Sequence, residues 1–144
     1  MNKLILFLSI ILVLDAKMVR NDSTNHLVVF DTTSNLIWQD NNDVSFYTKN
    51  WNDAINYCEN LDRATFTDWR LPNINELYTI VDFTKLSAPV TFEEFLKSSS
   101  GSYWTSTTYI SEPSKAWSIN FANGSSNYDV KTLLKYVRCV RDIN

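Results

Sequence analysis

FTDWRLPNINEL, Phe66 to Leu77, is the stretch whose reading decides the fold. Pro72 has no N–H and holds the residue before it in extended backbone, so regular structure arriving from the N-terminal side stops there. Asn73 then offers a side-chain oxygen at a helix N-cap. Glu76, three residues on, completes the reciprocal arrangement of a capping box. Ile74, Leu77, Tyr78 and Val81 recur at helical spacing, which predicts a helix starting at residue 74. An acid, a tryptophan and an arginine directly before this start also invite a catalytic reading. Each has a simpler use: Trp69 can fill a core, Arg70 can pair with a carboxylate, and Glu76 caps the helix. We therefore read Asp68, Trp69, Arg70 and Glu76 as scaffold.

Upstream, two apolar runs, Leu27 to Phe30 and Leu36 to Trp38, flank a turn-forming cluster, Asp31 to Asn35. That pattern predicts a β-hairpin. Residues 40–47, DNNDVSFY, read as a loop. Trp51, Ala54, Ile55, Cys58 and Leu61 then form one apolar stripe at helical spacing, with Thr48 as the expected N-cap and Cys58 turned inward. Downstream, TFEEFL repeats the capping-box pattern, Thr91 as cap and Glu94 as partner, and predicts a short second helix carrying Phe92, Phe95 and Leu96. The remainder reads as strands. SYWTSTT is β-branched and aromatic. AWSINF alternates Trp117, Ile119 and Phe121 on one side. Asn123-Gly124 is a hairpin turn signal, NYDV is the return strand, and KYVRCVR closes the chain with Val137 and Cys139 on one face. The order is an N-terminal hairpin, two to three helices, then a twisted antiparallel sheet, which is α+β.

The chain has 144 residues, 44% hydrophobic and 14% aromatic, enough for a single domain with one real core. The net charge is −3 and the Lys and Arg residues are scattered, which argues against a nucleic-acid partner. MNKLILFLSIILVLDA opens the chain with Lys3 before an apolar run, Leu4 to Leu14, broken only by Ser9. It has the form of a secretory signal peptide and is short for a stable membrane span, so we expect a signal peptide at 1–16, a linker at 17–26 and a domain at 27–144. The protein is then exported, to the periplasm, the cell surface or the medium. The two cysteines, Cys58 and Cys139, form no CxxC pair, and an even count in an exported chain suggests one disulfide.

The ordered series LIWQD, WNDAINYC, DWRLPNINEL, YWTST, AWSINFANG and YVRCVR resembles the Lcl C-terminal domain family, over about Val28 to Arg141. The family takes its name from the end of a bacterial collagen-like adhesin. The resemblance implies a fold of the C-type lectin-like and formylglycine-generating-enzyme group, export, and a first helix joined by a disulfide to the last strand. It also implies binding of a polysaccharide ligand. Two departures stand out. The glycine-containing turn before DWRLP is here RATFT, residues 63–67, and there is no collagen-like repeat.

Catalysis is not expected. His26 is the only histidine and lies near the leader, so a Ser-His-Asp or Cys-His mechanism lacks a placed base. Two distant cysteines are not the adjacent reactive pair of a formylglycine-generating centre. Asp82, Glu93 and Glu94 sit beside helix ends, where solvated acids are ordinary. No cofactor and no metal are expected. EPS, residues 112–114, reads as a surface turn rather than a calcium motif, although Glu112 with Asn120 or Asp129 would supply oxygen ligands. The five tryptophans are assigned to core packing. The binding candidates lie in the late loops, Thr108 to Lys115 and Asn123 to Leu134: Tyr109, Glu112, Asn127, Tyr128, Asp129 and Lys131, rings and hydrogen-bonding groups suited to a surface polysaccharide or a protein ligand. The sequence thus indicates a non-enzymatic, adhesin-like binding domain. The alternatives are a surface glycan hydrolase and a structural envelope module.

Overall fold

A computed structural model describes residues 18–21 and 27–144. The signal-peptide segment 1–16 and His26 lie outside the described residues. Two sheets make the framework. The first has four strands in the order β1-β2-β3-β9: β1 is Met18–Asn21, β2 Val28–Asp31, β3 Leu36–Gln39 and β9 Val140–Asp142. The second has five in the order β4-β8-β5-β6-β7: β4 is Thr48–Lys49, β5 Ser102–Thr108, β6 Lys115–Asn120, β7 Ser125–Val130 and β8 Lys135–Tyr136. The helices are α1 (Asp43–Phe46), α2 (Trp51–Glu59) and α3 (Ile74–Tyr78). The class is α+β. Within the stretch expected as a linker, Met18–Asn21 is a strand, paired antiparallel with β2 from Met18↔Asp31 to Asn21↔Val28.

The predicted hairpin is β2–β3, in register from Val28↔Gln39 to Asp31↔Leu36. Its turn is held by the Asp31 carboxylate, which accepts from Thr33 and Ser34 N–H at 3.0 and 3.1 Å. Apolar residues run without alternation because both faces are covered. Val29, Leu36 and Trp38 join one core with Leu77, Tyr103, Ile119 and Phe121. Val28 and Ile37 join a second with Ala54, Cys58, Trp69 and Trp104.

Several local expectations are corrected. Residues 43–46, expected in a loop, form the single turn α1. The cap of α2 is Asn50, whose side chain accepts from Asp53 N–H, while Thr48 lies in β4. The capping box at Asn73 and Glu76 is present in both directions. However, α3 ends at Tyr78, and Val81 instead bridges Thr91 while staying in the same core. The second capping box does not form a helix. Thr91 Oγ donates to Ser98 Oγ, and residues 93–94 make only a turn. The reason is a competing buried ion pair. The fully buried Asp40 carboxylate accepts from Leu96 and Lys97 N–H at 3.1 and 3.2 Å, and pairs with Arg138 at 2.8 Å and with Arg20. Arg138 in turn donates to the carbonyls of Gln39 and Lys97 and to Ser98 Oγ, each at 2.8 Å. Backbone groups that a helix would need are taken by charges, and charge-assisted hydrogen bonds are the stronger ones.

The closing strand is split. β8 joins the second sheet, parallel to β5, so that sheet is mixed rather than wholly antiparallel. β9 joins the first sheet through β3. Between them Cys139 is bonded to Cys58 on α2, across a sequence separation of 81. The cysteine of the closing segment thus sits one residue before the last strand. At the departure RATFT, Ala64 and Thr65 both take positive φ, 55° and 66°, between the bridged residues Arg63 and Phe66. The left-handed turn that glycine favours is kept without glycine.

Candidate functional site

The turn from β5 to β6 closes tightly: Tyr109 N–H donates to Lys115 O at 2.9 Å, and Lys115 N–H to Glu112 O at 2.8 Å. It brings Tyr109 over β7, where its ring stacks on Tyr128 with centroids 4.0 Å apart and planes 8° from parallel. Trp117 lies opposite Tyr128 in the β6–β7 register. Its indole meets both rings edge-on, at 5.7 Å from Tyr109 and 5.2 Å from Tyr128. Edge-on contacts of this kind suit the charge distribution of aromatic rings, and each of the three rings touches the other two. Tyr128 is 42% exposed, and Tyr109 and Trp117 are half-buried. Lys115 rims the cluster, 5.6 Å from the Tyr128 centroid, and pairs with Glu112 at 2.9 Å. That hydrogen bond to Glu112 raises the lysine pKa, so a cation stands at the rim.

The six candidates of the sequence divide between two faces. Side chains alternate along a strand, so Tyr128 shares a face with Trp117, whereas Asn127 and Asp129 point the other way. Asp129 pairs with Lys135 at 2.9 Å, and Lys131 sits 3.8 Å over the Trp51 ring while donating to Thr108 Oγ at 2.9 Å. Tyr109, Glu112 and Tyr128 come together; Asn127, Asp129 and Lys131 do not join them. The interval 123–134, assigned to the late binding loops, overlaps the return strand read at NYDV; that strand is β7, Ser125–Val130, two residues longer at its start, and only the ends of the interval are loops. Glu112 and Asp129 serve different lysines, and the Asn120 carboxamide accepts from Ala122 N–H. Among the described residues, no group of three or more His, Cys, Asp or Glu is placed to hold a metal ion.

Two members of the cluster were missed in the sequence. Trp117 follows the same alternation as the buried Ile119 and Phe121, so periodicity marks it as core. Trp38, Trp69 and Trp104 are core, at 0, 2 and 0% exposed, but Trp51 and Trp117 are only half-buried. Lys115 had one signal, its position three residues after Glu112.

A second feature is an open cleft of about 460 Å³ between α2 and the 70–76 segment, lined by Ile55, Glu59, Arg70, Leu71, Asn73, Glu76 and Ser106. Two carboxylates face it, the arrangement a hydrolase would need. Glu76 is fully engaged, however: its oxygens accept from Arg70 at 2.7 and 2.8 Å and from Asn73 N–H at 2.8 Å. Arg70 also reaches Asp142 at 2.9 Å, and its backbone exchanges two hydrogen bonds with Val140 at 2.9 Å. Glu76 is the chief cause of the raised Arg70 pKa. Beside it, Arg141 holds Asp68 at 2.7 and 3.0 Å, which lowers the Asp68 pKa, and lies 3.8 Å over Phe66. Trp69 donates to the carbonyls of Phe66 and Arg63 at 3.1 and 3.3 Å. The cleft wall is thus made of groups that dock the opening stretch onto β9.

Residues 27–141 match the family described as the Lcl C-terminal domain. The chain belongs to the Lcl C-terminal domain family. No curated protein matches it. The matched span takes in both cysteines, the capping box and the whole ring cluster. This Lcl C-terminal domain is of adhesin-associated type, and the family together with the Cys58–Cys139 disulfide fits an exported protein. Among the described residues, no helix is long and apolar enough to cross a membrane.

Proposed function

We propose that this Lcl C-terminal domain is an exported, non-enzymatic binding domain of C-type lectin-like arrangement, released from a signal peptide at 1–16, and that its ligand is a surface polysaccharide. The supporting observation is the three-ring cluster of Tyr109, Trp117 and Tyr128. Its rings are locked against one another, part-exposed, and rimmed by the Lys115–Glu112 pair. Aromatic faces receive the apolar faces of sugar rings, and a flanking cation and carboxylate offer hydrogen bonds to hydroxyl or acidic groups. Preorganised rings lose little freedom on binding, which favours affinity.

The test is a glycan array probed with the oxidised protein, followed by titration of the ligand it identifies. Tyr109→Ala and Tyr128→Ala should each weaken binding at least about tenfold, the loss expected of one good ring contact. Neither should change the far-ultraviolet spectrum. NMR shift perturbations should map to residues 109–117 and 128. Perturbations confined to the cleft around Glu59 and Arg70 would move the site there and refute this reading.

A further inference from the structure

β7 is the last strand of its sheet, and among the described residues nothing pairs with its outer edge. Its six residues pair with β6 without a bulge, from Lys115↔Val130 to Asn120↔Ser125. The bond from Lys131 N–H to Ser114 O sets the phase of this ladder. Backbone groups alternate between inward and outward along an antiparallel edge, so those of Ser126, Tyr128 and Val130 face outward. Among the described residues, one of these outward groups is used, the Val130 carbonyl, by Leu133 N–H at 3.1 Å. Soluble proteins blunt such edges with lysine, proline or a bulge. Ser125–Val130 has none of these.

Large apolar side chains stand exposed at both ends of this strand. At the C-terminal end are Val130, Leu133 and Leu134, 42, 46 and 66% exposed. At the other end Phe83, 70% exposed, lies against Gly124, so close that a Cβ there would meet its ring at 2.8 Å. A two-fold axis at Tyr128 makes the strand complementary to itself. Ser126 then faces Val130 of the second copy, Tyr128 faces its own counterpart, and Asn127 faces Asp129. No like charges meet, and Asp129 is already neutralised by Lys135. Beyond Val130 the chain turns, closed by Leu133 N–H on Val130 O, so the pairing spans Ser126 to Val130 of each copy.

We propose that β7 is the pairing edge of a symmetric dimer, two copies of this chain joining β7 to β7 antiparallel about Tyr128 into one ten-stranded sheet. The interface is isologous, as a closed two-fold requires. It is independent of the polysaccharide reading, because it is read from mass with no ligand present. Its geometry would set the two ring clusters side by side across the axis.

The test is sedimentation equilibrium of the protein as isolated from the producing cell, from about 1 μM to about 1 mM, the range in which small interfaces dissociate. The weight-average mass should rise toward twice that of the chain. Ser126→Lys with Val130→Lys puts like charges opposite each other at both facing pairs and should hold the mass at one chain. Ser126→Glu with Val130→Lys puts opposite charges there and should restore the dimer. Amide exchange at Tyr128 and Val130 should slow with concentration in the parent and in the restored variant alone. A mass of one chain at every concentration overturns the proposal, as does a dimer that survives the double-lysine variant. So does a folded Glu/Lys variant that stays monomeric. Edge amides protected only by an added extended peptide would assign the edge to another polypeptide, and the symmetric dimer would fall with that result too.

Discussion

Replacing Arg138 with Met removes the guanidinium from the fully buried pair with Asp40 while keeping most of the side-chain volume. Four hydrogen bonds are lost, each 2.8 Å long: to Asp40, to the carbonyls of Gln39 and Lys97, and to Ser98 Oγ. Breaking a buried ion pair from one side costs about 3–5 kcal/mol, because the remaining charge stays buried. Arg20 also pairs with Asp40 and keeps it partly neutralised, so the low end applies, about 3 kcal/mol. For a chain of this size that lowers Tm by about 6–12 °C. Urea unfolding followed by tryptophan fluorescence, with the disulfide intact, reads the loss directly. The midpoint should fall with the slope unchanged. Hydrogen exchange should quicken first in residues 94–98, the segment clamped by the pair. Asp40→Asn combined with Arg138→Met should cost less than the sum of the two single changes, since the pair acts as a unit. An Arg138→Met protein within about 1 kcal/mol of the parent would refute the reasoning, because the clamp would then carry no more than an ordinary hydrogen bond.

Replacing Cys58 and Cys139 with Ala should lower stability by about 2–5 kcal/mol, measured by the same unfolding assay; no change would mean that the long cross-link restricts the unfolded chain little. Thr65→Gly should raise stability by about 1 kcal/mol, because a β-branched residue at φ 66° is strained where glycine is not; a loss would show that the hydroxyl or the Cβ outweighs the strain. Arg141 lowers the Asp68 pKa, so this pair adds stability above the unfolded carboxylate value, and that stability is lost as pH falls through the folded one. Acid titration of Tm should therefore drop less steeply for Asp68→Asn than for the parent; parallel acid limbs would refute the linkage.

Local chemistry made the capping box at Asn73 legible, because its partners lie three residues apart. The β2–β3 hairpin was legible for the same reason, two apolar runs flanking a turn cluster. TFEEFL carried the same local signal as Asn73 to Glu76 and failed. Its backbone partners, Asp40 and Arg138, come from distant parts of the chain, and nothing within the segment reveals them. The split of KYVRCVR was hidden similarly: Val137 and Cys139 face one core as a strand would place them, but Cys139 N–H bonds to the Gln39 side chain instead of continuing a ladder. Of the site, Tyr109 and Tyr128 were legible because turn signals flank them. Trp117 was not, because alternation specifies a face of the sheet but not where along that face the cover ends. The separation of Asp129 and Asn127 from Tyr128 was legible too: NYDV reads as the return strand, and the strand period places Tyr128 on the face opposite both.

The disulfide has a mechanical consequence. Cys58 and Cys139 enclose α3, β5, β6, β7 and β8, and with them the entire ring cluster. A pull applied between Met18 and Asp142 can unzip β1, β2, β3 and β9. On reaching the cross-link it passes from α2 directly to the closing segment. The 81-residue loop would otherwise release about 280 Å of chain at roughly 3.4 Å per residue. It stays slack under a load that has already opened the first sheet. The ring cluster carried in that loop is therefore shielded from tension between the two ends of the domain, and is loaded only by a force applied within the loop itself.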